Sequence, residues 1–255
     1  MRSGPVPNLA PVKENGGSDW LVCPRPRPDA ALRVVCVPYA GGGPSAFWDW
    51  PGLLGDDVEL WCAVLPGRER RFAEPALTDP ALIGAPLAAA VRAEVRAPLA
   101  LFGHSMGGLI AFDVTRRLGD AAGHLFVSAA KAPRLPFGDQ PHLLDDAGLL
   151  AWMTRLGGVP EDLLAHEEML ALLLPTLRAD LAVCAAFHGT DAVVDVPITA
   201  FSGTDDPLAS VADVAAWQHH TTAGFDLVVR PGGHFYLQDD PAAVTSVVAA
   251  REGVQ

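Results

Sequence analysis

Seven apolar runs of strand length recur along this chain, and most are separated by stretches rich in Ala and Leu; no other feature limits its folding so strongly. The runs fall at 20–23, 33–38, 59–65, 99–102, 125–129, 198–202 and 226–230. Val34, Val35, Cys36 and Val37 are apolar without alternation, the pattern of a strand covered on both faces. Helical patterns occupy 81–96, 109–118, 209–219 and 242–250. Alternation of this kind calls for parallel strands joined by crossover helices, so the expected class is α/β: a mostly parallel central sheet with helices on both faces. With 255 residues, 50% hydrophobic and only 19% charged, the chain can bury one large core.

One stretch breaks the rhythm. From 137 to 195 no strand pattern occurs, but helical patterns occupy 145–156, 161–168 and 169–187. In the last, Leu173, Leu177, Leu181, Cys184 and Phe187 are spaced by three or four, which makes one apolar stripe. A structureless loop of that length is uncommon in a compact domain, so this is a helical insertion. Two readings stay open: an ordinary core subdomain, or a cap over an active site. The expected organisation is a flexible arm over 1–19, the first part of the core over 20–136, the insertion over 137–195 and the rest of the core over 196–255.

Charge narrows the partners. Thirty acidic against 18 basic residues give −12, which disfavours nucleic acid and anionic membrane surfaces alike. The apolar run from Met169 to Leu174 is broken at Pro175, well short of the roughly 20 residues a spanning helix needs. Four cysteines, Cys23, Cys36, Cys62 and Cys184, have neither CxxC nor zinc-finger spacing and read as small core hydrophobes, pointing to a reducing, cytoplasmic location.

The chemistry centres on Gly103-His-Ser105-Met-Gly107. An apolar strand pattern precedes this G-x-S-x-G and a helical one follows, the context of a nucleophile elbow with Ser105 at its apex. Serine needs a general base near working pH, and the order serine, acid, histidine in this fold favours a histidine close to the C-terminus. Of the eight histidines, His234 follows the strand pattern at 226–230 and the turn Pro231-Gly232-Gly233. His219 and His220 end a helical pattern, as dipole partners or solvated side chains, and His104 stands beside the serine with at most a supporting role. Asp206, extended by Pro207, is chosen to orient the imidazole; Asp205 remains an alternative, with a competing part as turn former or helix cap. For the oxyanion, the donors are the N–H of Met106 and one from the loop Pro38-Tyr-Ala-Gly-Gly-Gly43, with Ala40 first and Gly41 second. That loop lacks G-x-G-x-x-G spacing, which argues against a nucleotide.

Together these segments resemble the α/β-hydrolases, and more narrowly the type II thioesterases that accompany polyketide synthases and nonribosomal peptide synthetases. The resemblance runs from Trp20 to Val248 through Pro38-Tyr-Ala-Gly-Gly-Gly, Leu65-Pro-Gly-Arg, Gly103-His-Ser-Met-Gly-Gly, Leu156-Gly-Gly-Val-Pro, Pro175-Thr-Leu-Arg-Ala-Asp, Gly203-Thr-Asp-Asp-Pro and Gly232-Gly-His-Phe. It implies an editing thioesterase with Ser105, His234 and Asp206 as its triad and the 137–195 insertion as a mobile lid over the acyl pocket. It implies acyl or peptidyl carrier proteins as partners, their acyl thioesters as substrate, a phosphopantetheine arm carried by the substrate, no bound cofactor or metal, and a stand-alone monomer. Tyr39 stands where similar members commonly have His. Arg68, Arg70 and Arg71 form the densest positive cluster, suited to an arm phosphate or acidic carrier, or else simply solvated. The residues alone leave open a small-ester carboxylesterase, a binding protein on the same fold, and acyl transfer to an acceptor other than water.

Overall fold

The structure is a computed structural model that describes residues 18–138, 140–158, 166–187 and 189–250. Residues 1–17 of the expected arm and 161–165 of the expected helix at 161–168 lie outside this set. Strands β1 (Leu21–Val22), β2 (Leu32–Val37), β3 (Val58–Ala63), β4 (Leu99–His104), β5 (His124–Ser128), β6 (Ile198–Gly203) and β7 (Phe225–Arg230) form one sheet in the order β1-β3-β2-β4-β5-β6-β7. Every neighbouring pair is parallel except β1 with β3. All seven apolar runs therefore mark strands, within one or two residues at each end.

The continuous apolar pattern has the expected cause. Val35, Val37 and Leu101 face one core layer with Leu87, Val91, Ile110 and Val114. Val34, Cys36 and Phe102 face the opposite layer with Trp50, Val244 and Val248. Helices α2 (Pro80–Glu94) and α3 (Met106–Leu118) lie in the first layer; α1 (Trp50–Leu53) and α8 (Pro241–Ala249) lie in the second. At the edge, β7 is half-buried except at Asp226 and Val229, which are exposed.

Within the 137–195 stretch, α4 (Asp146–Arg155) starts where Asp145 accepts a hydrogen bond from the Gly148 N–H, and α5 (Glu167–Ala186) follows. Two sequence expectations need correction here. The apolar stretch does not end at Pro175: α5 continues through it, as the helical pattern at 169–187 expects, and Glu168–Ala186 is long and apolar enough, by length and composition, to cross a membrane. Proline removes one helical hydrogen bond, but tertiary packing of the apolar face outweighs that loss. The stripe is also out of phase at its start, because Leu173 is exposed while Leu170 and Leu174 are buried. Leu174, Leu177 and Leu181 close a small core with Leu149, Trp152 and Met153 of α4. The remaining short helices are α6 (Val211–Ala215) and α7 (Tyr236–Asp239). Ser210 begins α6 in a reciprocal capping arrangement with Asp213, a part that Asp205 does not play.

Candidate active site

Ser105 stands between β4 and α3 with φ 54° and ψ −121°, a left-handed backbone that a side-chain-bearing residue adopts only under tight constraint. The flanking glycines explain how the turn is tolerated. A Cβ on Gly103 would lie 2.0 Å from the Gly107 carbonyl oxygen, and one on Gly107 would lie 2.1 Å from that of Val37. The Ser105 N–H donates to the Ser128 carbonyl at 2.7 Å, pinning the turn to the neighbouring strand.

Three segments far apart in sequence meet at this end of the sheet. His234, in the loop after β7, places Nε2 3.0 Å from the Ser105 Oγ and Nδ1 2.8 Å from the Asp206 Oδ2. Carboxylate oxygens only accept, so Nδ1 carries the hydrogen and Nε2 is left to accept the serine O–H. Asp206 follows β6 and is almost fully buried; its other oxygen accepts the N–H groups of Leu208 and Ala209, which holds the carboxylate still. The structure thus separates the adjacent aspartates: Asp205 is exposed and accepts instead from the Thr204 hydroxyl. A hydroxyl, imidazole and carboxylate in this order can generate a serine nucleophile.

The two oxyanion candidates in the Tyr39–Gly42 turn are also distinguished. The Gly41 N–H donates at 2.7 Å to the Asp180 Oδ2 and is therefore committed, whereas Ala40 lines the cavity beside Ser105. Met106 opens α3, where the first N–H groups have no acceptor within the helix. That cavity, of about 210 Å³, is walled largely by apolar groups, among them Leu109, Phe137, Trp152, Met153, Leu181 and Leu208. A second, of about 460 Å³, lies between the Tyr39–Gly43 loop and α5, and shares Tyr39, Ala40 and Met153 with the first.

His104 lies behind the base. Its ring centroid is 5.3 Å from that of His234, its Nδ1 hydrogen-bonds to the Ser128 Oγ at 2.9 Å, and Ser128 bonds in turn to the Tyr236 hydroxyl. Burial, and then the nearby His234, hold the His104 imidazole well below the usual histidine range, so it stays neutral. Burial also pushes the Cys184 thiol on the cavity wall and the Tyr236 phenol upward.

Two further expectations are corrected. His220 is fully buried, not solvated: Nδ1 bonds to the Ala192 carbonyl and Nε2 accepts the Arg134 N–H. Nor is the arginine cluster a free cationic patch. Arg68 and Arg71 are 7% and 8% exposed. Arg68 makes two bonds to Asp180, and Arg71 pairs with Glu74 over the Trp20 ring. Arg70 donates to the carbonyls of Asp19 and Leu21. Periodicity and local charge could not show partners so distant along the chain; Arg68 and Asp180 are 112 positions apart.

A family model described as "Thioesterase domain" matches residues 32–252. The chain is 38% identical over 226 residues to the gramicidin S biosynthesis protein GrsT of Aneurinibacillus migulanus, covering 86% of this chain and 88% of that one. It is 38% identical over 228 residues to the thioesterase PikA5 of Streptomyces venezuelae, covering 86% and 80% respectively. The solved structure of the type II thioesterase BorB, from the borrelidin biosynthetic cluster, superposes with a TM-score of 0.85 at 33% identity, covering 93% of this chain and 99% of that one.

Proposed function

Because the chain belongs to the thioesterase family, a group of thioester hydrolases, we propose that it releases acyl groups from the phosphopantetheine arm of acyl or peptidyl carrier proteins, clearing aberrant or stalled chains. The observation that carries this reading is the 3.0 Å and 2.8 Å relay from Ser105 through His234 to Asp206 at the floor of an apolar cavity.

Ser105 Oγ forms a bond to the thioester carbonyl carbon while His234 Nε2 takes the hydroxyl proton. Asp206 stabilises the resulting imidazolium and keeps its ring in place. The carbonyl oxygen becomes an oxyanion that the N–H groups of Met106 and Ala40 receive. The tetrahedral species then collapses as the carbon–sulfur bond breaks, and His234 returns its proton to the pantetheine thiolate. In the second half, water gives a proton to His234 and attacks the acyl carbon, and the new tetrahedral species collapses as the bond from that carbon to Ser105 Oγ breaks; His234 returns the proton to Ser105 Oγ and the carboxylic acid leaves. No metal or bound cofactor takes part; the pantetheine arrives with the substrate.

The acyl chain occupies the 210 Å³ cavity, and the 137–195 segment is a lid over it, since α4 and α5 supply Trp152, Met153 and Leu181 to the wall. All four cysteines are free, which suits a cytoplasmic monomer. The test is hydrolysis of acetyl or propionyl carrier protein by the wild type, with loss of turnover in Ser105→Ala. A folded wild type that releases no acid, or a Ser105→Ala variant that turns over normally, would reject the reading.

A further inference from the structure

Asp180 is a buried carboxylate on the helix that covers the site, and it reaches the loop that supplies the second oxyanion donor. The Gly42 N–H donates to the Tyr39 carbonyl at 2.9 Å, and Gly41 has φ 78°, which together define a type II turn over Tyr39–Gly42. In such a turn the central peptide, here Ala40–Gly41, has a sense opposite to that of the commoner type I turn. Its N–H is held by the Asp180 Oδ2 at 2.7 Å. The same oxygen accepts from Arg68 Nη1 at 2.8 Å, and Oδ1 accepts from Arg68 Nη2 at 2.7 Å. Arg68 Nη1 also donates to the Gly42 carbonyl at 3.0 Å, so the turn is held through both a donor and an acceptor. Asp180 is 1% exposed and Arg68 7%, so water does not compete for these bonds.

We infer that Asp180, fixed by Arg68, is a positioning residue that holds the Tyr39–Gly42 turn through the Gly41 N–H and so keeps the Ala40 N–H, on the preceding peptide, turned to the oxyanion position. The inference rests on the proposed reading, in which Ser105 is acylated and the Ala40 N–H receives the oxyanion. Asp180 touches neither substrate nor reacting atoms. An oxyanion donor acts on the transition state more than on the bound ground state, so disturbing it lowers kcat while leaving KM almost unchanged. A helix that merely loosened would alter binding and stability instead.

The experiment compares Asp180→Ala, the isosteric Asp180→Asn and a packing control, Leu149→Ala, which weakens the α4–α5 core without touching the turn. Alanine strands Arg68 in the interior, so Asp180→Asn, whose amide oxygen still accepts the Gly41 N–H, keeps the test readable if Asp180→Ala fails to fold. Turnover of an acyl carrier protein is measured beside the affinity for an aliphatic trifluoromethyl ketone, which forms an oxyanion on addition of the serine, and for the product carboxylic acid. The expected result is a fall in kcat of about 10²-fold for Asp180→Ala and about tenfold for Asp180→Asn, by the scale of a lost oxyanion donor. KM and product affinity should stay within about twofold, ketone affinity should fall in parallel with kcat, and Leu149→Ala should keep its kcat. A normal kcat in Asp180→Asn, or a raised KM with kcat intact, overturns the inference while the hydrolase reading stands. An inactive wild type, or an active Ser105→Ala, overturns that reading itself.

Discussion

The wall of the 210 Å³ cavity supplied by the sheet and the wall supplied by α4 and α5 are built on different principles. On the sheet side, Ser105, Asp206 and His234 follow β4, β6 and β7, and every residue of β4 and β6 is buried. Main-chain ladders set those positions: Gly103 pairs with Val127 of β5, and Gly203 pairs with Arg230 of β7. On the covering side, α4 and α5 bury one face against each other, while Leu143, Leu144, Met169, Leu172 and Leu173 remain exposed. Side chains attach this half. Arg178 donates to the carbonyls of His142 and Leu144, and Thr176 donates to that of Gly67. Backbone ladders tolerate little adjustment, whereas side-chain packing can be altered residue by residue. On the proposed reading, catalytic geometry and acyl choice therefore belong to separable halves.

That separation can be broken most severely from the sheet side. Ser105→Ala should lower kcat by about 10⁴–10⁶-fold, and Asp206→Asn by roughly 10⁴-fold, both read from single-turnover acid release. Asp205→Asn should stay within about twofold of wild type, and a large loss there would reassign the acid. On the covering side the effect should be smaller and different in kind. Leu181→Ala enlarges the cavity, and the kcat/KM ratio of longer to shorter acyl carriers should rise by about tenfold, a methylene in a pocket being worth about 1–3 kcal/mol. Equal losses for every chain length would show that the two halves are not separable.

The smallest effect is on stability against pH. His104 is kept neutral in the fold, while in the unfolded chain it takes up a proton as pH drops below about 6.5. The unfolded state then binds more protons, so stability declines as pH falls below that value, by at most about 1.4 kcal/mol per unit for this one group. Melting curves from pH 7.5 to 5.5 should be steeper for the wild type than for His104→Gln. Equal slopes would mean that His104 is not the buried neutral group.

The sequence displayed the sheet more fully than the cover, for the same physical reason. A strand buried on both faces, such as Val34–Val37, leaves a short continuous run rich in β-branched residues, and a whole series of such runs alternating with helical patterns marks a parallel sheet. The serine elbow and the late histidine were equally legible, because a strained turn and a fixed chain order leave marks at known spacing. The cover's polar ties leave none. Arg68, Arg70 and Arg71 look like a surface run of charge until Asp180, Glu74 and three main-chain carbonyls near Trp20 are brought to them. His220 reads as the end of a helix until the Ala192 carbonyl arrives beside it. In α5 a shift of one residue, Leu174 inward where Leu173 was expected, is enough to misplace a stripe, since leucines occupy adjacent positions.

Ser105 and His234 are separated by 129 positions, and His234 follows β7, the last strand in the chain. A ribosome adding about 5–20 residues per second therefore completes Ser105 roughly ten seconds before His234 exists. Throughout that interval, on the proposed reading, the growing polypeptide carries the Ser105 hydroxyl without its proton acceptor and cannot turn over a thioester.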